Sequence, residues 1–179
     1  VIWISSPNNG TYKTWKLTHN GSDAKTIESV TSDVMDYRSV MTFGTELIVS
    51  GMNMNRATEY YILDPESKKK RVLTHVNDDH YKTISKSKVE SRRIKTSDGK
   101  EMLTWVIYPP DFDSTKKYPT ILYCQGGPQS MVSQFYSFRW NFQLMASKGY
   151  IIVAPNRRGL PGFGQAWNEK ISKDWGGQS

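Results

Sequence analysis

Residues Tyr118–Gly164 read YPTILYCQGGPQSMVSQFYSFRWNFQLMASKGYIIVAPNRRGLPGFG, and the organisation of the chain follows from this stretch. Two short apolar runs, Thr120–Cys124 and Tyr150–Ala154, flank a segment with helical spacing. Short, wholly apolar strands separated by one helix make a βαβ unit whose strands are buried on both faces. The helix is expected within Ser133–Lys148. Phe135, Phe138, Phe142 and Met145 are spaced three, four and three apart and would share one face packed on the sheet. Lys148 in the last turn and Gly149 just beyond it suit a helix C-terminus. Ligands and chemistry in such sheets sit past the C-terminal ends of the strands. Those positions are Gln125–Gly127 and Asn156–Gly159.

Upstream of this unit, SRRIKT and EMLTWVIY form a hairpin closed by Asp98-Gly99, a pair suited to a positive-φ turn. Both faces of Met102–Ile107 are largely apolar, and Pro109-Pro110 ends the strand. Downstream, Gln165–Ile171 reads as a short helix.

Residues 1–86 follow another rule. Ile48 repeats Ile2, Leu63 repeats Leu17 and Leu73 repeats Ile27, each 46 residues on. Each copy reads strand, polar turn, aromatic strand, polar turn, apolar strand. The turns are PNNG and THNGSD, then NMNRAT and DPESKKK. A strand repeat of this length is the mark of β-propeller blades, which are stabilised by their neighbours. The fold class expected is therefore the last blades of a β-propeller (1–86), followed by the N-terminal portion of an α/β-hydrolase domain (87–179). The polar run Ser85–Lys88 is the link.

Composition narrows the function. The 179 residues carry a formal charge of +7 and are 37% hydrophobic and 12% aromatic, enough for a packed core. No apolar run approaches the roughly 20 residues of a membrane-spanning helix. The basic cluster Lys68–Arg71 follows Asp64-Pro65-Glu66-Ser67 and reads as a solvated hairpin tip rather than a nucleic-acid site. Cys124, the single cysteine, is expected as an inert core thiol. His19 sits in a turn, and His75 and His80 bracket Asp78 and Asp79 in a polar loop; no metal site is assigned. Gly159, Gly162 and Gly164 follow a strand, but their G-x-x-G-x-G spacing is not the dinucleotide fingerprint, and no P-loop is present.

Gln125-Gly126-Gly127-Pro128 has a more specific reading. Acyl transfer needs donors aimed at the oxygen that becomes negative, and paired glycines let backbone N–H groups approach it. In α/β-hydrolases such a loop follows the third strand. On these four residues alone, a tight strand-to-helix turn is an equal reading.

IYPPDFDSTKKYPTILYCQGGPQS (from Ile107) and FRWNFQLMASKGYIIVAPNRRGLPGFGQAW (from Phe138) resemble the start of the catalytic domain of the prolyl oligopeptidase family, chiefly its dipeptidyl-peptidase and acylaminoacyl-peptidase branches. The resemblance spans Lys86–Ser179. It implies a propeller capping an α/β-hydrolase, and a serine peptidase that cleaves short peptides through an acyl-enzyme. Its partners would be peptide substrates and the remainder of its own polypeptide, with neither nucleic acid nor a cofactor implied. A homodimer is one assembly the resemblance allows, and a periplasmic or secreted location is expected over a cytoplasmic one. The implied site residues are Gln125, Gly126 and Gly127 of the oxyanion loop. Related branches carry tyrosine where this chain has Gln125, whose amide can also donate. No G-x-S-x-G occurs in the 179 residues, and no triad member is assigned. Ser130, Ser133 and Ser137 lack an elbow context. The chain is thus expected to be an internal fragment, inactive and poorly folded alone. The alternative is a non-catalytic propeller and scaffold module for protein interaction.

Overall fold

The structure is a computed structural model that describes residues 1–19, 21 and 25–177. Of the anticipated turn THNGSD, Asn20, Ser22 and Asp23 lie outside the described residues, as do the last two residues of DWGGQS.

Two antiparallel sheets come first. β1 (Ile2–Asn8), β2 (Thr11–His19) and β3 (Lys25–Ser29) form a three-stranded sheet in chain order. β4 (Asp36–Phe43), β5 (Glu46–Asn53), β6 (Arg56–Leu63) and β7 (Lys70–Val72) form a four-stranded one. The strands fall at the offset read from the sequence: β5, β6 and β7 repeat β1, β2 and β3. β4 is an added strand that the three-strand reading missed. Its YRSVMTF pattern is masked by a β-bulge between Tyr37 and Ser39, which breaks the alternation.

The local signals behave as physics requires. Asn9 and Gly10 both have positive φ (46° and 81°) and close the β1–β2 hairpin as a two-residue turn. Gly10 is further constrained, because an added Cβ would stand 2.3 Å from Leu103 Cδ2. One core lies in these sheets, where Val30, Tyr37, Leu47, Val49, Tyr61 and Leu63 pack with Trp3 and Val40. Burying each such aliphatic side chain contributes roughly 1.5–3 kcal/mol.

A short helix, α1 (Asp78–Lys82), occupies what was read as a polar loop. Asp78 and Asp79 in its first turn favour the helix N-terminus, and Tyr81 anchors it to β6, its hydroxyl oxygen accepting from Ala57 N–H at 2.7 Å.

A mixed sheet follows, in the order β10-β11-β9-β8. β8 (Val89–Lys95) and β9 (Glu101–Ile107) make the expected hairpin, with Gly99 at φ 79°. β10 (Thr120–Leu122) and β11 (Ile151–Pro155) are parallel, and β11 is antiparallel to β9. β9 is buried along Leu103–Ile107, which explains its apolar residues on both faces. The second core joins Leu103, Trp105, Ile107, Phe142, Ile152 and Ala154, and Met54 enters it from the β5–β6 turn.

Three expectations are corrected here. The helix predicted within Ser133–Lys148 is only α2, Phe142–Ser147. The Ser137 hydroxyl accepts from the Arg139 and Trp140 N–H groups, and the Asn141 side chain caps Leu144 N–H at 3.1 Å. These local bonds compete with helix and start it late. The aromatic stripe therefore divides: Phe135, Phe142 and Met145 pack on the core, while Phe138 is 87% exposed. β10 is an edge strand with Leu122 61% exposed, so it is not buried on both faces. Cys124 lies beyond its end and is exposed, not a core thiol. The helix at Gln165–Ile171 is present as α3 (Gln165–Asn168) and a following 3-10 turn. Among the described residues no helix is long and apolar enough to cross a membrane.

Candidate active site

The site is built where the parallel strands end. Tyr123 N–H donates to Val153 O at 2.8 Å, one residue past β10, and the chain then leaves the sheet. Gly126 faces open space, with nothing within 4 Å of where a Cβ would stand. Gly127 has φ 127°, a conformation side chains resist, and an added Cβ would meet Ser130 Cβ at 3.0 Å. The Gly127–Pro128 peptide is cis. Two cavities meet at Gly126. One, of about 420 Å³, is lined by Leu122, Tyr123, Cys124, Trp140 and Met145. The other, of about 460 Å³, is lined by Gly127, Pro128, Arg157, Ile171 and Trp175.

The structure brings together the two segments that the sequence singled out. Arg157 Nη2 donates to the carbonyls of Gln125 (3.3 Å) and Pro128 (3.1 Å). Its Nη1 donates to Arg158 O at 2.8 Å, and Trp167 Nε1 donates to Arg157 O at 2.9 Å. Gln129 Nε2 donates to Asn168 Oδ1 at 3.0 Å, tying the loop to α3. The Gln125 side-chain oxygen is buried without a hydrogen-bond partner among the described residues. Its amide end, Nε2, carries the donors.

Downstream the chain is clamped. Asn156, fully buried, accepts from Val132 N–H and donates to Val132 O, both at 2.9 Å. Trp105 Nε1 donates to the same carbonyl at 3.0 Å. The next residues reach across to β4. Ser133 Oγ donates to Asp36 Oδ2 at 2.6 Å, and Gln134 N–H donates to Asp36 Oδ1 at 3.1 Å. Tyr12 N–H and Arg38 Nη2 complete the shell of Asp36 at 3.0 and 3.1 Å. Burial pushes the Asp36 carboxyl above its ordinary pKa, against the opposing pull of the Ser133 hydroxyl, Arg38 and two backbone amides. Nearby, the Thr96 hydroxyl and then Arg158 hold Asp98 down to about 2. Asp98 and Arg158 thereby join the β8–β9 turn to the loop after β11.

This arrangement supplies donors, not a nucleophile with its base. Ser133 is fully buried against Asp36, the Ser137 hydroxyl is occupied by two backbone amides, and no histidine hydrogen-bonds to a serine among the described residues. His75 instead pairs with Asp78 at 2.6 Å. Three members of the basic cluster are paired with acids: Lys68 with Glu28, Lys70 with Asp33 and Arg71 with Glu46. Among the described residues no group of three or more His, Cys, Asp or Glu side chains is placed to hold a metal ion.

Sequence reasoning marked both Gln125–Gly127 and Asn156–Gly159 but gave Arg157 no role of its own, and it missed Asp36. The position of Arg157, two residues past β11, was a usable signal. Asp36 offered none, because its partner Ser133 lies 97 residues away.

The chain is similar to known proteins in sequence and in fold. Residues 136–179 match the prolyl oligopeptidase family. The chain is 46% identical over 155 residues to dipeptidyl-peptidase 5 of Porphyromonas endodontalis, covering 87% of this chain and 22% of the relative. It is 46% identical over 153 residues to dipeptidyl-peptidase 5 of Porphyromonas gingivalis, covering 86% and 22%. The chain thus spans about a fifth of the length of these curated relatives. In fold it is similar to Pyrococcus horikoshii acylaminoacyl peptidase, with a TM-score of 0.79 at 24% identity, covering 94% of this chain and 25% of that one. The dipeptidyl peptidase 4 structure from Porphyromonas gingivalis aligns with a TM-score of 0.70 at 22% identity, covering 94% and 24%.

Proposed function

The chain belongs to the prolyl oligopeptidase family, and from that premise we propose that it forms part of a serine peptidase that removes dipeptides from peptide substrates through an acyl-enzyme. Residues 1–86 are the propeller portion, and 87–179 begin the hydrolase domain. The 46-residue strand repeat supports the first assignment and the parallel β10–β11 pair supports the second.

One observation carries the reading: a Gly126-Gly127 turn, open at Gly126, stands past the end of a parallel strand, with its flanking carbonyls turned onto Arg157. The loop's donors are then free for an oxyanion. Gln125, Gly126 and Gly127 bind the developing negative charge of the tetrahedral intermediate, from the backbone and from the Gln125 amide. The serine, its histidine base and the orienting aspartate are supplied by chain outside these 179 residues, since no G-x-S-x-G lies within them.

The test is to label the full-length polypeptide with a fluorophosphonate and to assay dipeptidyl chromogenic substrates. One adduct, mapped outside residues 1–179, together with dipeptide release, is the expected result. A folded full-length protein that takes no adduct would sink the peptidase reading in favour of a non-catalytic interaction module.

A further inference from the structure

Arg157 does more than brace a loop. Its Nη2 captures two carbonyls, those of Gln125 and Pro128, which lie on either side of the glycine pair. The Gln125–Gly126 peptide is trans and planar, so its C=O and N–H point in opposite directions. Holding the Gln125 carbonyl against the guanidinium therefore aims the Gly126 N–H the other way. On the side of Gly126 where a Cβ would stand there is open space. Without the guanidinium, the small residues at 126 and 127 leave the peptide free to rotate, and its carbonyl can turn toward the site.

We propose that Arg157 is the positioning residue that sets the direction of the Gly126 N–H, so that the loop is an oxyanion donor before substrate arrives. The proposal rests on the oxyanion reading above. Arginine suits the task because one planar fork reaches several acceptors at fixed angles, while lysine offers a point charge. Two further bonds anchor the residue, one at its guanidinium and one at its backbone. Nη1 is bound to Arg158 O, and the Arg157 carbonyl is held by Trp167 Nε1 on α3. Both bonds are made outside the Gln125–Pro128 loop.

The experiment uses the full-length enzyme and the variants Arg157→Met, Arg157→Lys, Arg157→Ala and Gly126→Pro. Each is assayed with a dipeptidyl anilide and titrated with a peptide boronic acid that forms a tetrahedral adduct. Arg157→Met should lower kcat by roughly tenfold to a hundredfold with KM nearly unchanged, and boronate affinity should fall in parallel. Arg157→Lys should lie between the two, and added guanidinium ion should restore part of the kcat of Arg157→Ala. A purely structural role would lower the melting temperature and activity together, without guanidinium rescue, and that result overturns the inference. If Gly126→Pro, which deletes the N–H, lowers kcat while Arg157→Met does not, the loop reading stands and the Arg157 inference falls. If folded forms of both variants keep wild-type kcat and boronate affinity, the oxyanion reading itself is wrong, and the inference falls with it.

Discussion

The β4–β7 sheet and the segment from Tyr123 to Asn141 are held by different forces. In the sheet, the strands pair in register and Tyr37, Leu47, Val49, Tyr61 and Leu63 face one another. In the segment, no regular element runs between β10 and α2. Its shape comes from single side chains that reach in from elsewhere: Arg157, Asn156, Trp105 and Asp36. Apolar area tolerates small shifts, because it is non-directional. A hydrogen bond to a buried backbone group is directional and is costly when left unmade. The protein thus places its adaptable material in the sheets and its directional material around the loop.

This contrast can be broken experimentally. The largest effect is expected in the sheet. Leu63→Ala should lower the stability of the full-length protein by about 2–5 kcal/mol, measured by urea unfolding, and leave the kcat of the folded fraction unchanged. A large kcat loss in folded protein would show that the two regions are not separable. Next, Asn156→Ala should cost about 1–3 kcal/mol, because it strips Val132 N–H of its partner in a buried site. Unlike Leu63→Ala, it should also lower kcat, since Val132 anchors the end of the loop. Stability loss with wild-type kcat would mean that the clamp and the loop are uncoupled.

A third change sharpens the chemistry. Gln125→Ala should reduce kcat by roughly tenfold, with little change in unfolding, if the side-chain amide donates to the oxyanion. An unaltered kcat would leave the backbone N–H groups as the donors. The smallest effect is a pH dependence. The folded-state pKa of Asp36 lies above its unfolded value because of burial. Its contribution to stability is therefore fully present below the unfolded pKa of about 3.9 and is lost as pH rises through the raised folded value. Wild type should lose stability relative to Asp36→Asn as pH rises above about 4, as read from paired urea titrations. A difference constant across that range would contradict the raised pKa.

The same contrast explains what the sequence disclosed. The repeat in residues 1–86 was legible because strand periodicity and turns such as Asn9-Gly10 are local properties. The β8–β9 hairpin and the β10–β11 unit were legible for the same reason. The helix predicted from Ser133 was not, because spacing alone cannot register Ser137 and Asn141 folding the backbone onto themselves. β4 was hidden by its bulge, and Asp36 by its distance in the chain from Ser133. Gln125–Gly127 could be located from their position after a strand. The direction in which their peptide groups point depends on Arg157 and could not be read there.

The turn between β5 and β6 has a consequence for descent. Met54 sits in the core of the mixed sheet, its N–H bonded to Gln134 Oε1 at 3.3 Å, and Asn55 Nδ2 donates to Ser87 O at 3.0 Å. A recombination joint placed near residue 86 would give offspring a tip from one parent and its socket from another. A chimera of two relatives joined there should therefore fold well only when residues 53–55 come from the same parent as residues 87–134.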